Sequence, residues 1–157
     1  MNKAVIHLSD EAATLQLAAR IAERLPPSGQ FVIYLHGELG AGKTSLSRGI
    51  LQALGHRGAV KSPTYTLIES YAPGGRTVHH LDLYRLTEPE ELAYLGLRDL
   101  LEEGAVFLIE WPELGAGFLP DADLHVSLFY DAEARVAEIH YTGQNSLFNS
   151  DFSTINN

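Results

Sequence analysis

The sequence contains no cysteine and only one methionine and one tryptophan. The absence of cysteine excludes disulfide bonds, thiolate metal sites and cysteine nucleophiles. No apolar run approaches the roughly 20 residues that a membrane-spanning helix needs, and the first residues lack the pattern of a signal peptide. These absences, with a hydrophobic fraction of 45% and a charged fraction of 20%, predict a globular cytoplasmic protein with no membrane partner.

Positive charge is also scarce, since 11 Lys and Arg face 20 Asp and Glu, for a net charge of −9. A chain of this charge is a poor candidate for wrapping nucleic acid, which needs a basic face. The stretch 43–61 nevertheless contains cations and no acid, whereas 87–113 contains eight acids and only Arg98. Two interpretations stay open: two solvated faces, or a phosphate site beside an acidic docking surface.

The pattern of elements predicts one α/β domain over 1–142, followed by a flexible tail over 143–157 that is rich in Asn and Ser. Continuous apolar runs at 31–35 and 106–109 indicate strands buried on both faces. Helices are expected after Ser9, which resembles an N-cap, over 44–54 and after Thr87. Hairpins are expected at 66–83 and 124–141. The predicted fold is a mixed sheet of the P-loop type, with helices on both faces and antiparallel hairpins at its edges.

The segment from Gly37 to Thr44 matches the pattern G-x-x-x-x-G-K-[ST] at every specified position. It lies between a predicted strand and a predicted helix, which is the context that the P-loop requires. Its glycines let backbone N–H groups converge on an anion, and the helix N-terminus adds positive potential. Lys43 is therefore expected to reach the β- and γ-phosphates of a nucleotide, and Thr44 to ligate Mg²⁺. The N/T-K-x-D pattern that recognises guanine is absent, so ATP is the expected nucleotide.

Two carboxylates end predicted strands and could serve the metal ion. Glu110 ends the more apolar run, so we place its strand next to the P-loop strand and assign Glu110 to Mg²⁺. Asp82 follows His79 and His80, which suits an edge strand or one farther from the P-loop, and it could act through water or position the attacking water. The side chains of the two histidines are expected on opposite faces of the strand, so both histidines are interpreted as structural. The alternative for either carboxylate is a solvated group at a strand end.

Two further segments have open interpretations. Trp111 could belong to the core, cover the nucleotide or present a partner surface. Thr64, in the segment Ser62-Pro63-Thr64, could sense the γ-phosphate as in nucleotide switches, or occupy a plain turn.

Four segments in order resemble the TsaE ATPases of bacterial tRNA threonylcarbamoyladenosine synthesis. They are the P-loop, Ser62-Pro63-Thr64-Tyr65-Thr66-Leu67, His80-Leu81-Asp82-Leu83-Tyr84-Arg85-Leu86 and Ile109-Glu110-Trp111-Pro112. The resemblance extends over roughly residues 4–141, and the last three segments are more specific than the P-loop.

The resemblance implies an ATPase that binds the proteins TsaD and TsaB and supports their threonylcarbamoyl transfer to tRNA adenosine. Contact with tRNA is then expected only through that complex. It also implies that Thr44 and Glu110 contact Mg²⁺, that Lys43, Asp82 and Glu110 serve hydrolysis, and that Glu11 lies near the adenine. The implied nucleotide contacts are Glu11, Gly37, Gly40, Ala41, Gly42, Lys43, Thr44, Ser45, Thr64, Trp111 and Arg135.

Two other functions remain open from the sequence: a small-molecule P-loop kinase and a nucleotide-gated protein-binding module. A kinase usually covers the phosphates with an arginine-bearing lid. The segment 87–104 offers a single arginine among many acids, which argues against that function.

Overall fold

Seven strands form one mixed sheet in a computed structural model that describes residues 3–60 and 66–143. The strands are β1 (Lys3–Leu8), β2 (Phe31–Gly37), β3 (Ile68–Tyr71), β4 (Val78–Asp82), β5 (Val106–Glu110), β6 (Leu124–Asp131) and β7 (Ala134–Tyr141). Their order across the sheet is β1-β7-β6-β2-β5-β4-β3. The helices are α1 (Glu11–Arg24), α2 (Lys43–Ala53), α3 (Glu91–Tyr94) and α4 (Leu97–Leu101).

The centre of the sheet is parallel. Strand β2 pairs with β5 on one side and β6 on the other, and β5 also pairs in parallel with β4. Every residue of β4 and β5 is buried, as continuous apolar runs predict for strands covered on both faces. The predicted placement of the Glu110 strand beside the P-loop strand, with the Asp82 strand one position farther away, is confirmed.

The edges of the sheet are antiparallel. Strands β3 and β4 form one hairpin, and β6 and β7 form another, as predicted. Strand β1 pairs with β7 and was not predicted from the sequence. Its residues become alternately exposed and buried over Lys3–Leu8, but the sequence itself does not alternate there, because the exposed Val5 is apolar like its neighbours Ala4 and Ile6.

Helices cover both faces of the sheet, so the predicted α/β fold is confirmed. Helices α1 and α2 pack on the face that carries Phe31, Ile33 and Leu35, and α3 and α4 pack on the opposite face, around Val32. Successive side chains of β2 point to opposite faces of the sheet and pack under different helices. The P-loop follows the end of β2 and therefore lies between the two helical layers.

Two local predictions are wrong. Asp10, not Ser9, caps α1, because its side chain accepts a hydrogen bond from Ala13 N at 2.9 Å. Strand β4 is not an edge strand, since β3 lies outside it. Its histidines can be buried because each has a polar partner: His79 contacts Ser70 and Glu103, and His80 contacts Glu110.

Most of the predicted tail, 144–157, lies outside the described residues. Its first residue, Gly143, donates its N–H to the carbonyl of Asp123 at 3.0 Å. The helices within the described ranges all lack the length and apolarity that crossing a bilayer would take.

Candidate functional site

The phosphate loop connects the end of β2 to the start of α2. Gly37 has φ 146°, and a Cβ there would meet the carbonyl oxygen of Leu128 on β6 at 2.7 Å, so only glycine fits. Ala41 N donates to Glu38 O at 3.0 Å and closes the turn. Helix α2 then starts at Lys43, and the N–H groups of its first turn have no acceptor inside the helix. The loop therefore directs unpaired donors toward one point, as an anion site requires.

Lys43 is folded back onto the loop. Its Nζ donates to Gly37 O at 2.6 Å and lies 3.6 Å from the centre of the Trp111 ring. Burial lowers the pKa of Lys43, and the negative charges of Glu110, Asp82 and Glu113 act in the opposite direction. The ammonium group is thus held among an aromatic face and several carboxylates, within the mouth of the site.

Glu110 and Asp82 lie side by side at the carboxyl ends of β5 and β4. They are paired in the register of the two parallel strands, so both side chains point to the face covered by α2. Thr44 Oγ1 lies 3.2 and 3.3 Å from the two carboxylate oxygens of Glu110. The structure therefore brings together the two residues that the sequence predicted as metal ligands.

The carboxyl group of Asp82 has a pKa above its ordinary value. Burial raises the pKa of Asp82, while a hydrogen bond from Tyr84 N to its Oδ1, at 3.1 Å, lowers it. The charge of Glu110 raises this pKa further, and the charges of His80 and Lys43 lower it. A carboxyl group with a raised pKa at a cleft is better suited to exchanging a proton than a fully solvated one.

His80 is a site residue that the sequence analysis assigned only a structural role. It is fully buried, and its Nε2 lies 2.6 Å from Glu110 Oε2. Its Nδ1 forms no hydrogen bond with a described residue. Its position two residues before Asp82, on the same face of β4, was the available signal, but its contact with the neighbouring strand could not be read from the chain.

Trp111 follows Glu110 in a left-handed backbone conformation, with φ 58° and ψ 49°. Such a conformation is uncommon for a bulky residue and persists where its surroundings hold it. The indole ring lies under Lys43 and 5.0 Å from the ring of Tyr84, between centroids. Its partial exposure and its contact with Lys43 rule out a purely interior position.

Two cavities meet at the phosphate loop. The first, which we call the phosphate cavity, has a volume of about 360 Å³ and contains the predicted residues Gly40, Gly42, Lys43, Thr44, Ser45, Asp82, Glu110 and Trp111. Tyr84 and Arg85 also border it, and neither was predicted as a site residue.

The second cavity, which we call the flanking cavity, has a volume of about 330 Å³. It lies between the start of α1 and the β6–β7 hairpin, and it brings together Glu11, Gly40, Ala41, Gly42, Ser45 and Arg135. Arg135 stacks on the ring of Tyr130, at 4.2 Å, and the hydroxyl of Tyr130 donates to Leu39 O at 2.9 Å. The hairpin is thereby tied to the phosphate loop. Thr64 lies outside the described residues.

The described residues do not converge as a group of three or more His, Asp or Glu on one point that could hold a metal ion. A Mg²⁺ ion in a nucleotide site usually takes one or two carboxylates, with substrate phosphates and water as its other ligands. Thr44, Glu110 and, through water, Asp82 match that donor set.

Comparison with known proteins gives one consistent family. The family model described as "Threonylcarbamoyl adenosine biosynthesis protein TsaE" matches residues 8–137. A relative from Haemophilus influenzae, named "tRNA threonylcarbamoyladenosine biosynthesis protein TsaE", is 46% identical over 136 residues, which cover 85% of this chain and 86% of the relative. A relative of the same name from Nostoc sp. is 40% identical over 140 residues, which cover 85% of this chain and 83% of the relative.

Among solved structures, the crystal structure of YdiB from Bacillus subtilis superposes with a TM-score of 0.72 at 25% identity, covering 90% of this chain and 86% of that one. The same layered sheet is thus found in an independently solved protein. The family match spans the phosphate loop, both carboxylate-bearing strands and the β6–β7 hairpin up to Ala137. The chain belongs to the TsaE family.

Proposed function

We propose that this protein is an ATPase that supports the formation of threonylcarbamoyladenosine on tRNA. The observation that carries the proposal is the contact of Thr44 with Glu110, at 3.2 and 3.3 Å, at the mouth of the phosphate loop. A hydroxyl from the loop and a carboxylate from the adjacent strand are the two protein ligands that a nucleotide-bound Mg²⁺ needs.

The nucleotide is expected to be ATP with Mg²⁺. Thr44 and Glu110 would hold the ion, which would supply charge neutralisation on the transferring phosphoryl group. The carboxylates of Glu110 and Asp82 are 2% and 8% exposed, so a second cation beside Lys43 would also offset their mutual repulsion. The donor set, oxygen ligands with two acids side by side, therefore fits magnesium.

Lys43 is expected to move when the triphosphate binds. Its Nζ contacts one neutral carbonyl and one aromatic ring, and both contacts are weaker than a bond between the ammonium group and an anionic phosphate oxygen. The side chain needs only to rotate away from Gly37 O to reach the β- and γ-phosphates. Lys43 would then stabilise negative charge that grows during phosphoryl transfer.

Asp82 is expected to orient the attacking water. One of its oxygens is fixed by the N–H of Tyr84, which leaves the other to accept a hydrogen bond from water. Its raised pKa makes the carboxylate more basic than a solvated Asp, so Asp82 can hold a proton at Oδ2 as the reaction proceeds.

The flanking cavity is expected to hold the adenosine. It continues from the phosphate loop through Gly40 and Ser45, which border both cavities. Glu11 can accept hydrogen bonds from the exocyclic amine of adenine, and the guanidinium of Arg135 can contact the base or the sugar. An ATP molecule lying across the loop would thus contact both ends of the site.

The protein partners are expected to be TsaD and TsaB, and tRNA is expected to contact this chain only through them. The net charge of −9 supports this division, because a binding surface for tRNA phosphates needs Lys and Arg. A role in tRNA modification also agrees with the expected cytoplasmic location.

Reconstitution of the reaction tests the proposal. Purified TsaD and TsaB, with an activated threonylcarbamoyl donor and tRNA, are assayed for modified adenosine with this chain omitted and then restored. Multiple turnover is expected only with the restored chain and ATP, and Lys43→Ala should not restore it. ATP hydrolysis is measured in parallel with and without the two partners. Modification that is unaffected by the chain would refute the proposal, and a phosphorylated metabolite would indicate a kinase instead.

A further inference from the structure

Trp111 borders a third cavity besides the phosphate cavity. It has a volume of about 470 Å³ and is lined by Gly37, Glu38, Glu113, Leu128, Phe129 and Tyr130 as well as Trp111. We call it the Trp111–Phe129 cavity. Gly37 and Glu38 belong to the phosphate loop, and the remaining walls come from β6 and from the turn that follows β5, on the side of the loop away from the flanking cavity's residues Glu11 and Arg135.

The walls of this cavity include exposed aromatic side chains. Phe129 is 47% exposed and Tyr130 is 46% exposed, and Leu39 stands nearby in the phosphate loop, also exposed. Isolated exposed aromatic residues are ordinary, but several around one concave site mark a binding surface. The ring of Tyr130 is already stacked against Arg135, and the indole of Trp111 already contacts Lys43 and Tyr84. The available aromatic surfaces are therefore the exposed ring of Phe129 and the part of the partly exposed Trp111 ring that these contacts leave open.

Two carboxylates stand at this cavity. Glu38 and Glu113 are exposed, and neither forms an ion pair with another described residue. Burial lowers the pKa of both Lys43 and His36, and the charge of Glu113 acts in the opposite direction on each, so its negative potential reaches the base of the phosphate loop. A negative potential over aromatic walls favours a cation and opposes the phosphates of a nucleic acid.

We propose that the Trp111–Phe129 cavity is the docking site for the protein partner, which inserts an arginine side chain into it. A guanidinium group is planar, stacks on aromatic rings and pairs with carboxylates, so it matches the two rings and the two acids together. The chain already contains one contact of this kind, because Arg135 stacks on Tyr130, the residue that follows Phe129 in β6. The inference rests on the proposed function, because a complex that binds tRNA carries exposed cationic side chains.

Docking at this cavity would place the partner next to the catalytic cation. Trp111 forms a wall of the cavity and lies 3.6 Å under Lys43 Nζ. An arginine that contacts the same indole changes the surroundings of Lys43 without entering the phosphate cavity. Partner binding and nucleotide binding would then be coupled through one side chain, and by linkage the coupling is reciprocal.

The test compares three variants in binding to the purified TsaD–TsaB complex with ATP present. Glu113→Gln removes a carboxylate from the cavity, and Phe129→Ala removes an aromatic wall that borders neither the phosphate cavity nor the flanking cavity. Glu102→Gln removes the same charge from an exposed position outside the cavity and is the matched control. We expect roughly tenfold weaker binding for the first two and less than about a twofold change for the control. ATP affinity of Phe129→Ala alone should be unchanged.

Trp111 is the only tryptophan in the sequence, so a fluorinated indole gives a single ¹⁹F signal from the wall of the cavity. Its resonance should shift on addition of the complex. If the unaltered chain binds the complex and both cavity variants bind equally well, the docking site is wrong and the proposed function stands.

If the unaltered chain does not bind the complex, the proposed function fails and the cavity is judged separately. The probe is then the capped peptide Gly-Arg-Gly, with Gly-citrulline-Gly as its neutral counterpart. A saturable ¹⁹F shift with arginine alone, lost in Glu113→Gln, supports a cation site. Equal responses to the two peptides, or none, overturn it.

Discussion

The phosphate cavity and the flanking cavity share the phosphate loop but differ in how their charged groups are held. In the phosphate cavity, Lys43, Asp82 and Glu110 are 4%, 8% and 2% exposed. In the flanking cavity, Glu11 is exposed and Arg135 is half-buried. Charges that are removed from water act more strongly on a bound group, so we propose chemistry in the first cavity and recognition in the second.

This difference predicts that substitutions in the phosphate cavity affect hydrolysis far more than those in the flanking cavity. Lys43→Ala should have the largest effect, a loss of ATP hydrolysis of at least about 100-fold, because it removes a preorganised cation. Arg48→Ala removes a cation from the same helix outside both cavities and is the control. Steady-state phosphate release measures both, and thermal melting checks the fold. Unchanged turnover in Lys43→Ala would refute the P-loop assignment.

The second prediction separates the two carboxylates. Glu110→Gln should raise the Mg²⁺ concentration that nucleotide binding requires by at least about tenfold, since Glu110 contacts Thr44 directly. Asp82→Asn should reduce hydrolysis more than binding, because Asp82 would act on water rather than on the ion. Titration of Mg²⁺ against bound nucleotide measures both variants. If only Asp82→Asn shifts the Mg²⁺ requirement, the two roles are reversed.

The order of β2, β5 and β4 at the parallel centre of the sheet was predictable from the sequence, whereas the parallel pairing of β6 with β2 was not predicted. Continuous apolar runs, a loop motif and carboxylates at strand ends are local patterns, and parallel strands bring their carboxyl ends to one edge. The same reasoning could not reveal the contact of His80 with Glu110 or the position of β1. Both depend on pairing between segments far apart in the chain, and nothing local specifies such pairings.

The flanking cavity shows the same limit. Glu11 and Arg135 are separated by most of the chain, and only the family resemblance suggested that both lie near the nucleotide. Folding brings them together because β7 pairs with β1, which leads directly into α1. The predicted capping residue of α1 was wrong by one position, because Ser and Asp are both good caps and the sequence alone does not choose between them.

A third prediction concerns His80, which contacts the carboxyl group of Glu110 but does not line the phosphate cavity. Loss of a hydrogen-bond partner to a metal ligand commonly weakens metal binding by about 10- to 100-fold, so His80→Leu should raise the Mg²⁺ requirement by about tenfold. His80→Gln keeps an N–H donor and should recover part of this loss. His79→Gln, in the same strand on the opposite face, should leave the Mg²⁺ requirement unchanged. Equal effects of His80→Leu and His79→Gln would indicate a packing role only.

A smaller effect is expected in the flanking cavity. Arg135→Ala and Glu11→Ala should each weaken ATP binding by about three- to tenfold, because each substitution removes only one or two polar contacts near solvent. Their affinity for inorganic tripolyphosphate should not change, because that ligand lacks the adenosine. Lys43→Ala should weaken binding of both ligands. Calorimetric titration of the two ligands checks this, and a loss of tripolyphosphate affinity in Arg135→Ala would place Arg135 on the phosphates instead.

The smallest expected effect is on stability, and it follows from the pKa of Asp82. Burial raises this pKa above its ordinary value of 3.8, so the folded protein keeps the proton at pH values where the unfolded chain has lost it. Stability therefore decreases as the pH rises through the interval just above 3.8, since more protons are bound in the folded state there. Asp82→Asn does not titrate and avoids this loss.

Without nucleotide or Mg²⁺, Asp82→Asn should consequently melt about 1–3 °C above the unaltered chain near pH 7, with the difference shrinking toward about pH 4. The gain is small because Lys43 and His80 already offset part of the buried charge. Thermal melts of both proteins across this range measure it, with Asp99→Asn, on α4 and outside both cavities, as a control of equal charge. If the advantage of Asp82→Asn instead vanished as the pH rose, the carboxylate would be stabilised by its surroundings. Asp82 would then be a weaker base than we propose.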